Sequence, residues 1–272
     1  MWQEILRAIL FGILEGVTEW LPVSSTGHLI LLRDVLTFSM RPAVFELFEV
    51  VIQLGAILAV AVLFWHKLGP FSRKKTADER RATRALWGKV FVAVLPSAVL
   101  GLLLDDWLDA HFYRARVVAA MLILYGVAFL IIERRARTPY LLDTESIAPR
   151  TAFGIGLFQL LALIPGTSRS GATILGGVLL GLSRPVAAEF SFFLGIPTMA
   201  GAGILKTVKF FAEGNLLARD ELLLIAVGTL TAFAVSLAVI RFLMDFVRRH
   251  SFGAFGAYRI ALGGAVLLTY FI

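Results

Sequence analysis

Pro22-Val23-Ser24-Ser25-Thr26-Gly27-His28 sits in the middle of an otherwise apolar stretch, Ile5–Leu36. A second apolar stretch, Thr151–Leu182, is broken in the same way by Pro165-Gly166-Thr167-Ser168-Arg169-Ser170-Gly171. Each half falls short of the about 20 apolar residues that a spanning helix needs. Non-helical backbone survives at membrane depth only where it is packed in protein or lines a cavity. The pattern predicts two re-entrant helix–turn–helix hairpins, at about 5–36 and 151–182.

Six further apolar stretches are long enough to span. They run near Phe45–Trp65, Val90–Leu108, Val117–Ile132, Ala187–Phe210, Leu222–Ile240 and Phe252–Ile272. With 58% hydrophobic and only 17% charged residues, the chain has too little polar surface for a soluble domain of its size. The expected fold is an all-α polytopic membrane protein with six transmembrane helices plus two re-entrant hairpins. The N-terminus carries Glu4 and Arg7 and lacks a basic start, so it does not read as a cleaved signal. The absence of cysteine excludes disulfides, zinc thiolate sites and thiol catalysis.

The net charge of +7 is gathered in short segments between apolar runs. That fits loops beside anionic lipid, and no nucleic-acid motif is present, so no nucleic-acid partner is expected. His66–Lys89 holds eight Lys/Arg against two acids, Arg134–Arg150 four against two, and Arg241–Arg249 three against one. The connections around Asp109–Arg116 and Phe211–Asp220 are short and weakly charged. The positive-inside rule puts the basic segments in the cytoplasm, and six spans then put both termini outside.

The two halves of the chain resemble each other. At an offset of 144, Gly12 aligns with Gly156, Glu15 with Gln159, Ser24 with Ser168, Thr26 with Ser170 and Gly27 with Gly171. At an offset of 140, Glu49 aligns with Glu189 and Gly55 with Gly195. Each half is one hairpin plus three spans, and three is odd, so the halves must lie upside down to each other. The organisation expected is a single membrane domain, 1–272, built as an inverted-topology repeat of 1–133 and 151–272, with its site where the hairpins meet.

The first hairpin carries Glu15 and Glu19, four apart and so on one helix face. Two carboxylates there repel unless they hold a cation or share a proton, and acids inside a membrane are functional candidates by default. Ser24-Ser25-Thr26-Gly27-His28 follows at the opening of a helix, where free N–H groups attract anions. A hydroxyl beside a histidine also supplies a nucleophile and a base. In isolation that motif would read as an N-cap with a packed histidine. The second hairpin adds Arg169, flanked by Ser168, Ser170 and Thr173. Its guanidinium fork suits phosphate, although an ion pair with Glu15 or Glu19 is the bland reading. Two acids, one histidine, one arginine and the hydroxyls of Ser24, Thr26, Ser168, Ser170 and Thr173 make a phosphoryl-transfer set. A site inside the bilayer points to a lipid phosphate.

Weaker signals are Glu49, Gln53 and Glu189, in or beside spans, which either support the site or pair across helices. Gly176-Gly177 and Gly263-Gly264 read as close helix-packing positions, and Trp2, Trp65, Trp87 and Trp107 as interface anchors. Ser-Thr-Gly-His bears a slight likeness to the Ser-Gly-His motif of type 2 phosphatidic acid phosphatases. That family uses a second histidine, and His66, His111 and His250 lie in or beside loops without its arginine motif. This argues against a two-histidine mechanism.

The segment Glu15-Gly16-Val17-Thr18-Glu19-Trp20-Leu21-Pro22-Val23-Ser24-Ser25-Thr26-Gly27-His28 resembles the signature of bacterial undecaprenyl-diphosphate phosphatases, the bacitracin-resistance family. Pro165-Gly166-Thr167-Ser168-Arg169-Ser170-Gly171-Ala172-Thr173 is similar to its second signature. Phe48–Gly55 and Glu189-Phe190-Ser191-Phe192 add to the likeness, which covers essentially the whole chain. The resemblance implies hydrolysis of undecaprenyl diphosphate to the monophosphate carrier used in cell-wall synthesis. It implies a bacterial inner-membrane enzyme, a divalent-cation requirement and an outward-opening pocket. It implies catalytic roles for Glu15, Glu19, Ser25, His28 and Arg169.

The mechanism expected on this basis has Arg169 and the helix N-termini hold the diphosphate. Glu15 and Glu19 hold Mg²⁺ or Ca²⁺ or position a base. Ser25 attacks, with His28 moving the proton, and direct attack by water is the competing route. The rival class is a lipid-carrier or anion transporter, since inverted repeats and broken helices are transporter features. The expected partners are a polyprenyl diphosphate and membrane lipid, with a homodimer left open.

Overall fold

Helix α1 (Trp2–Thr18) stops four residues before Pro22, and α2 (Ser25–Val35) starts three residues after it. The computed structural model describes residues 1–36, 38–72, 75–112, 114–135 and 138–271. Arg73, Lys74 and Arg137 of the basic segments, Tyr113 of a short connection and Ile272 at the chain's last span lie outside them. Every named element among the described residues is helical. After α2 come α3 (Pro42–Leu63), the single turn α4 (Trp65–Leu68), α5 (Ala77–Phe112) and α6 (Ala115–Arg134). The second half holds α7 (Pro149–Leu160), α8 (Arg169–Leu179), α9 (Arg184–Ala212), α10 (Arg219–Arg249) and α11 (Gly253–Phe271).

Among the described residues five helices, within α3, α5, α6, α9 and α10, are long and apolar enough to cross a membrane, and α11 is a shorter apolar helix. The chain is a multi-pass membrane protein. Leu58, Val62, Leu95, Leu102, Leu103, Leu124, Ile204 and Leu230 stand exposed along these helices, as lipid-facing side chains must.

Both breaks fall slightly earlier than the sequence suggested. The first is Glu19–Ser24, not 22–28, because Ser24 caps α2 and leaves Ser25, Thr26, Gly27 and His28 in its first turn. The second runs from the 3₁₀ turn Leu161–Leu163 to Ser168, so Arg169, Ser170 and Gly171 belong to α8. The basic segments also differ from plain loops. Ala77–Lys89 forms the first turns of α5 and Arg241–Arg249 the last turns of α10. Thr76 and Glu79 form a capping box: Thr76 N–H donates to Glu79 Oε2 (2.7 Å), and Glu79 N–H to Thr76 Oγ1 (3.2 Å).

The helices cross where glycines let backbones meet. Helix α1 packs on α10 with Gly12 against the Gly228 carbonyl, and α7 packs on α5 with Gly156 against Ala93. Helices α6 and α11 approach through Gly126 and Gly256, each facing the other's carbonyl. Such small-residue contacts are the usual basis of close helix packing in lipid. Gly176, Gly177 and Gly263 are packing positions of this kind, but Gly264 faces open space. Ion pairs tie helix ends: Arg41 to Glu221 at 2.6 Å and Arg184 to Glu133 at 2.5 Å, with Glu133 also accepting from Phe252 N–H. Helix α9 is the most buried of the five, and it runs directly behind both breaks.

Candidate active site

The two breaks share one backbone device. Ser24 (φ 73°) and Ser168 (φ 71°) are the only non-glycine residues with positive φ among the described residues. Each ends its break and caps the next helix, accepting from the N–H three residues on, Gly27 at 3.4 Å and Gly171 at 3.1 Å. Left-handed backbone at a serine is strained, and such strain gathers at functional sites. It turns the first N–H groups of α2 and α8, which have no intrahelical acceptor, out of their turns as an anion-attracting end.

Glu19 and Arg169 meet between the breaks. Arg169 NH2 donates to Glu19 Oε1 at 2.8 Å, and both side chains are about nine-tenths buried. Glu19 keeps helical φ and ψ at the end of α1, so it does share a face with Glu15. Its second oxygen, Oε2, accepts from Ser25 Oγ at 3.1 Å. Ser170 Oγ donates to the Glu19 carbonyl at 3.0 Å, which binds the second break to the first through the backbone as well. Behind Arg169, NH1 donates to the Ser191 carbonyl at 2.6 Å, and the guanidinium lies over Trp20 and flat against Gly195. A Cβ on residue 195 would come within 2.8 Å of Arg169 Cζ, so only glycine leaves it that seat.

The other residues singled out in the sequence divide into two groups. Ser24 and Ser168 commit their hydroxyls to the caps, and Thr173 Oγ1 bonds Ser191 Oγ at 2.7 Å and the Arg169 carbonyl at 2.9 Å. Thr26 stands half-buried in the first turn of α2. His28 does not hydrogen-bond to Ser25. Its Nδ1–H donates to the Ser24 carbonyl at 2.7 Å, leaving Nε2 to accept from the Tyr258 hydroxyl at 2.8 Å, with the two rings stacked. Glu189 is drawn away to Lys67 at 2.6 Å.

Glu15 is fully buried, and neither of its oxygens meets a donor. The charged groups around it are Glu19, Glu49 and Arg169. Trp20 Nε1, Thr167 Oγ1, Arg169 Nε and Arg259 Nε are likewise buried without partners. All the unpartnered buried side-chain atoms among the described residues thus lie on or beside the two breaks. Native proteins leave few such groups, and a cluster of them marks a place completed by a ligand, an ion or water.

Sequence reasoning missed Arg259 and Tyr258, and took Ser191 only as part of the Glu189–Phe192 likeness. Arg259 did carry a signal, as a lone arginine within the apolar stretch Phe252–Ile272. Tyr258 had none, because only the fold brings it to the first break.

The family model described as "Bacitracin resistance protein BacA" matches residues 8–265. The chain belongs to the BacA family. Its relatives include the undecaprenyl-diphosphatase of Streptococcus mutans, 56% identical over 98% of this chain and 96% of that protein. That of Enterococcus faecalis is 51% identical over 100% of this chain and 99% of its own. That of Lactococcus lactis subsp. cremoris is 52% identical over 98% and 97%. Both breaks, the Glu19–Arg169 pair and α11's Tyr258 and Arg259 all fall inside the segment that defines this BacA family member.

Proposed function

We propose that this chain is an undecaprenyl-diphosphatase, hydrolysing undecaprenyl diphosphate to undecaprenyl monophosphate and phosphate and so recycling the lipid carrier for peptidoglycan synthesis. One observation carries the reading: a serine hydroxyl, a carboxylate and a guanidinium meet in a buried cluster between two capped helix starts. The names of the relatives agree with it.

In this reading Arg169 and the N–H groups that open α2 and α8 hold the diphosphate. Ser25 Oγ attacks the terminal phosphorus, forming an O–P bond, while the bridging O–P bond breaks and the lipid monophosphate leaves. Glu19 Oε2, already hydrogen-bonded to Ser25, takes the hydroxyl proton. His28 was the expected proton carrier, but its nitrogens face Ser24 and Tyr258, so its role here is to shape the first turn of α2. Glu19 gives that proton to the departing monophosphate. As water attacks the phosphoserine, Glu19 takes a proton from it and passes it to Ser25 Oγ as the Ser–P bond breaks and phosphate leaves.

A divalent cation, Mg²⁺ or Ca²⁺, fits the donors in kind. Glu15 offers two buried oxygens without a donor, and Glu19 stands one turn along the same face. Glu15 and Glu19 would hold the ion, which when bound would neutralise phosphate charge.

The same reading places the protein in the bacterial plasma membrane with both termini outside. It makes α1–α2 and α7–α8 re-entrant hairpins of an inverted repeat within one domain. The matched geometry of Ser24 and Ser168, and the exchange by which α1 packs on α10 while α7 packs on α5, support that repeat.

The test is phosphate release from a long-chain prenyl diphosphate by the purified protein in detergent, where translocation has no meaning. Wild type, Glu19→Gln and Arg169→Ala are compared with and without chelator. Release by wild type that is lost in both variants supports the reading. No release under any metal would sink it and send the work to lipid flipping in liposomes.

A further inference from the structure

Arg259 of α11 is wholly buried, and among the described residues no carboxylate pairs with it. Carbonyl oxygens take that place. Its NH2 donates to Gly166 and Thr167 at 2.9 Å each and to Met121 of α6 at 3.4 Å, and its NH1 donates to Pro22 at 3.2 Å. The Tyr125 ring lies 5.5 Å from the guanidinium carbon. One planar cation therefore touches both breaks at once.

The direction of those bonds matters. In a trans peptide the carbonyl and the following N–H point opposite ways. Holding the Thr167 carbonyl on Arg259 fixes the Ser168 peptide, and Ser168 is the left-handed residue whose hydroxyl caps α8. Holding the Pro22 carbonyl restrains the first break two residues before Ser24, its counterpart. The burial of an unpaired cation is costly, and hydrophobic packing alone would be served by an apolar side chain. A charge kept there without a counter-ion adds positive potential to a place that must receive a diphosphate.

We propose that Arg259 is a positioning residue for the diphosphate site: it ties the carbonyl backs of both breaks to one buried charge, so that Ser25 and Arg169 present themselves to the substrate together. The inference rests on the phosphatase reading of that site. Lysine cannot replace it, because a single ammonium has three donors and no planar fork. The geometry requires four carbonyls on three segments.

The test compares wild type, Arg259→Lys and Arg259→Met, purified in detergent, by two readouts. The first is the kcat and KM of phosphate release from a long-chain prenyl diphosphate. The second is the rise in thermal midpoint given by inorganic diphosphate. Both variants should elute like wild type, show KM raised at least tenfold, and lose the diphosphate-induced rise. A wild-type KM and a wild-type rise in either variant overturn the proposal. So does a loss of activity that follows loss of folded protein with KM unchanged, or a failure of both variants to fold, since each makes Arg259 merely structural. A wild type that releases no phosphate sinks the phosphatase reading instead, and the diphosphate-induced rise then decides the role of Arg259 alone. Absence of that rise in wild type as well removes both.

Discussion

The Glu19 carboxylate is divided between two partners, Arg169 NH2 on Oε1 at 2.8 Å and Ser25 Oγ on Oε2 at 3.1 Å. One oxygen accepts from a buried cation and the other from a hydroxyl, so in the proposed mechanism the same side chain fixes the phosphate binder and the attacking group. Glu19→Gln keeps the shape and an acceptor but loses the charge. Its phosphate release is expected to fall about 10²–10⁴-fold, the range for a general base. It is also expected to lower stability by up to about 3–5 kcal/mol, because Arg169 is left buried and unpaired. Initial rates and denaturant melts in detergent measure the two effects separately.

Ser25→Ala removes the proposed nucleophile with no change in fold. Turnover should drop by at least about 10³-fold while the diphosphate still binds. A Ser25→Ala enzyme that keeps most of its turnover would falsify covalent attack and leave direct hydrolysis by water.

Gly195→Ala tests the seat of Arg169. The added Cβ would stand 2.8 Å from the guanidinium carbon, and the flexible arginine is the part that gives way. A shift of the order of 1 Å at a positioning group costs about 10²-fold in rate. Activity should fall by that order with little change in melting temperature, whereas unchanged kinetics would mean Arg169 finds its place without this glycine.

Tyr258→Phe removes the hydroxyl that meets His28 Nε2 but keeps the stacked ring. A net hydrogen bond is worth about 0.5–1.5 kcal/mol, so kcat should fall tenfold or less and KM should hold. A loss as large as that of Ser25→Ala would give His28 a direct part in the proton transfer.

Metal removal has a simple expected outcome. A chelator should abolish phosphate release, Mg²⁺ or Ca²⁺ should restore it, and Glu15→Gln should raise the concentration of ion needed. Full activity of wild type in excess chelator would assign Glu15 a different purpose.

Five helices were plain in the sequence because their apolar runs have the length of a bilayer. The breaks were plain in place but not in extent, because the serines and glycines after Ser24 and Ser168 go into the first turns of the next helices. Glu15, Glu19, Ser25 and Arg169 stood out because charge and hydroxyl are rare among such residues. Their pairing was open: Arg169 had two acids to choose from, and it is Glu19 that it meets. The partners of His28 were not legible: Ser25 and His28 are three apart on α2 and so neighbours on its surface, yet Nε2 meets Tyr258, which only the fold brings near. Helix geometry lets Nδ1 fall back on the Ser24 carbonyl one turn earlier. The reach of basic segments into α5 and α10 was hidden for another reason. A helix does not end where the bilayer does, and the Thr76–Glu79 cap lies well outside the apolar run.

Arg259 joins Pro22, Met121 and the Gly166–Thr167 turn, positions scattered over nearly the whole length of the chain. During synthesis the first break emerges long before α11 is made. Until that last helix has entered the bilayer and settled beside α6, the two breaks can meet through Glu19, Arg169 and Ser170 but lack the cation that holds their carbonyl backs. A nascent chain therefore holds Glu15, Glu19 and Ser25 together long before Arg169 and Arg259, the two buried cations of the breaks, have been made. If Arg259 positions the site as proposed, catalytic competence arrives only with the completion of membrane insertion.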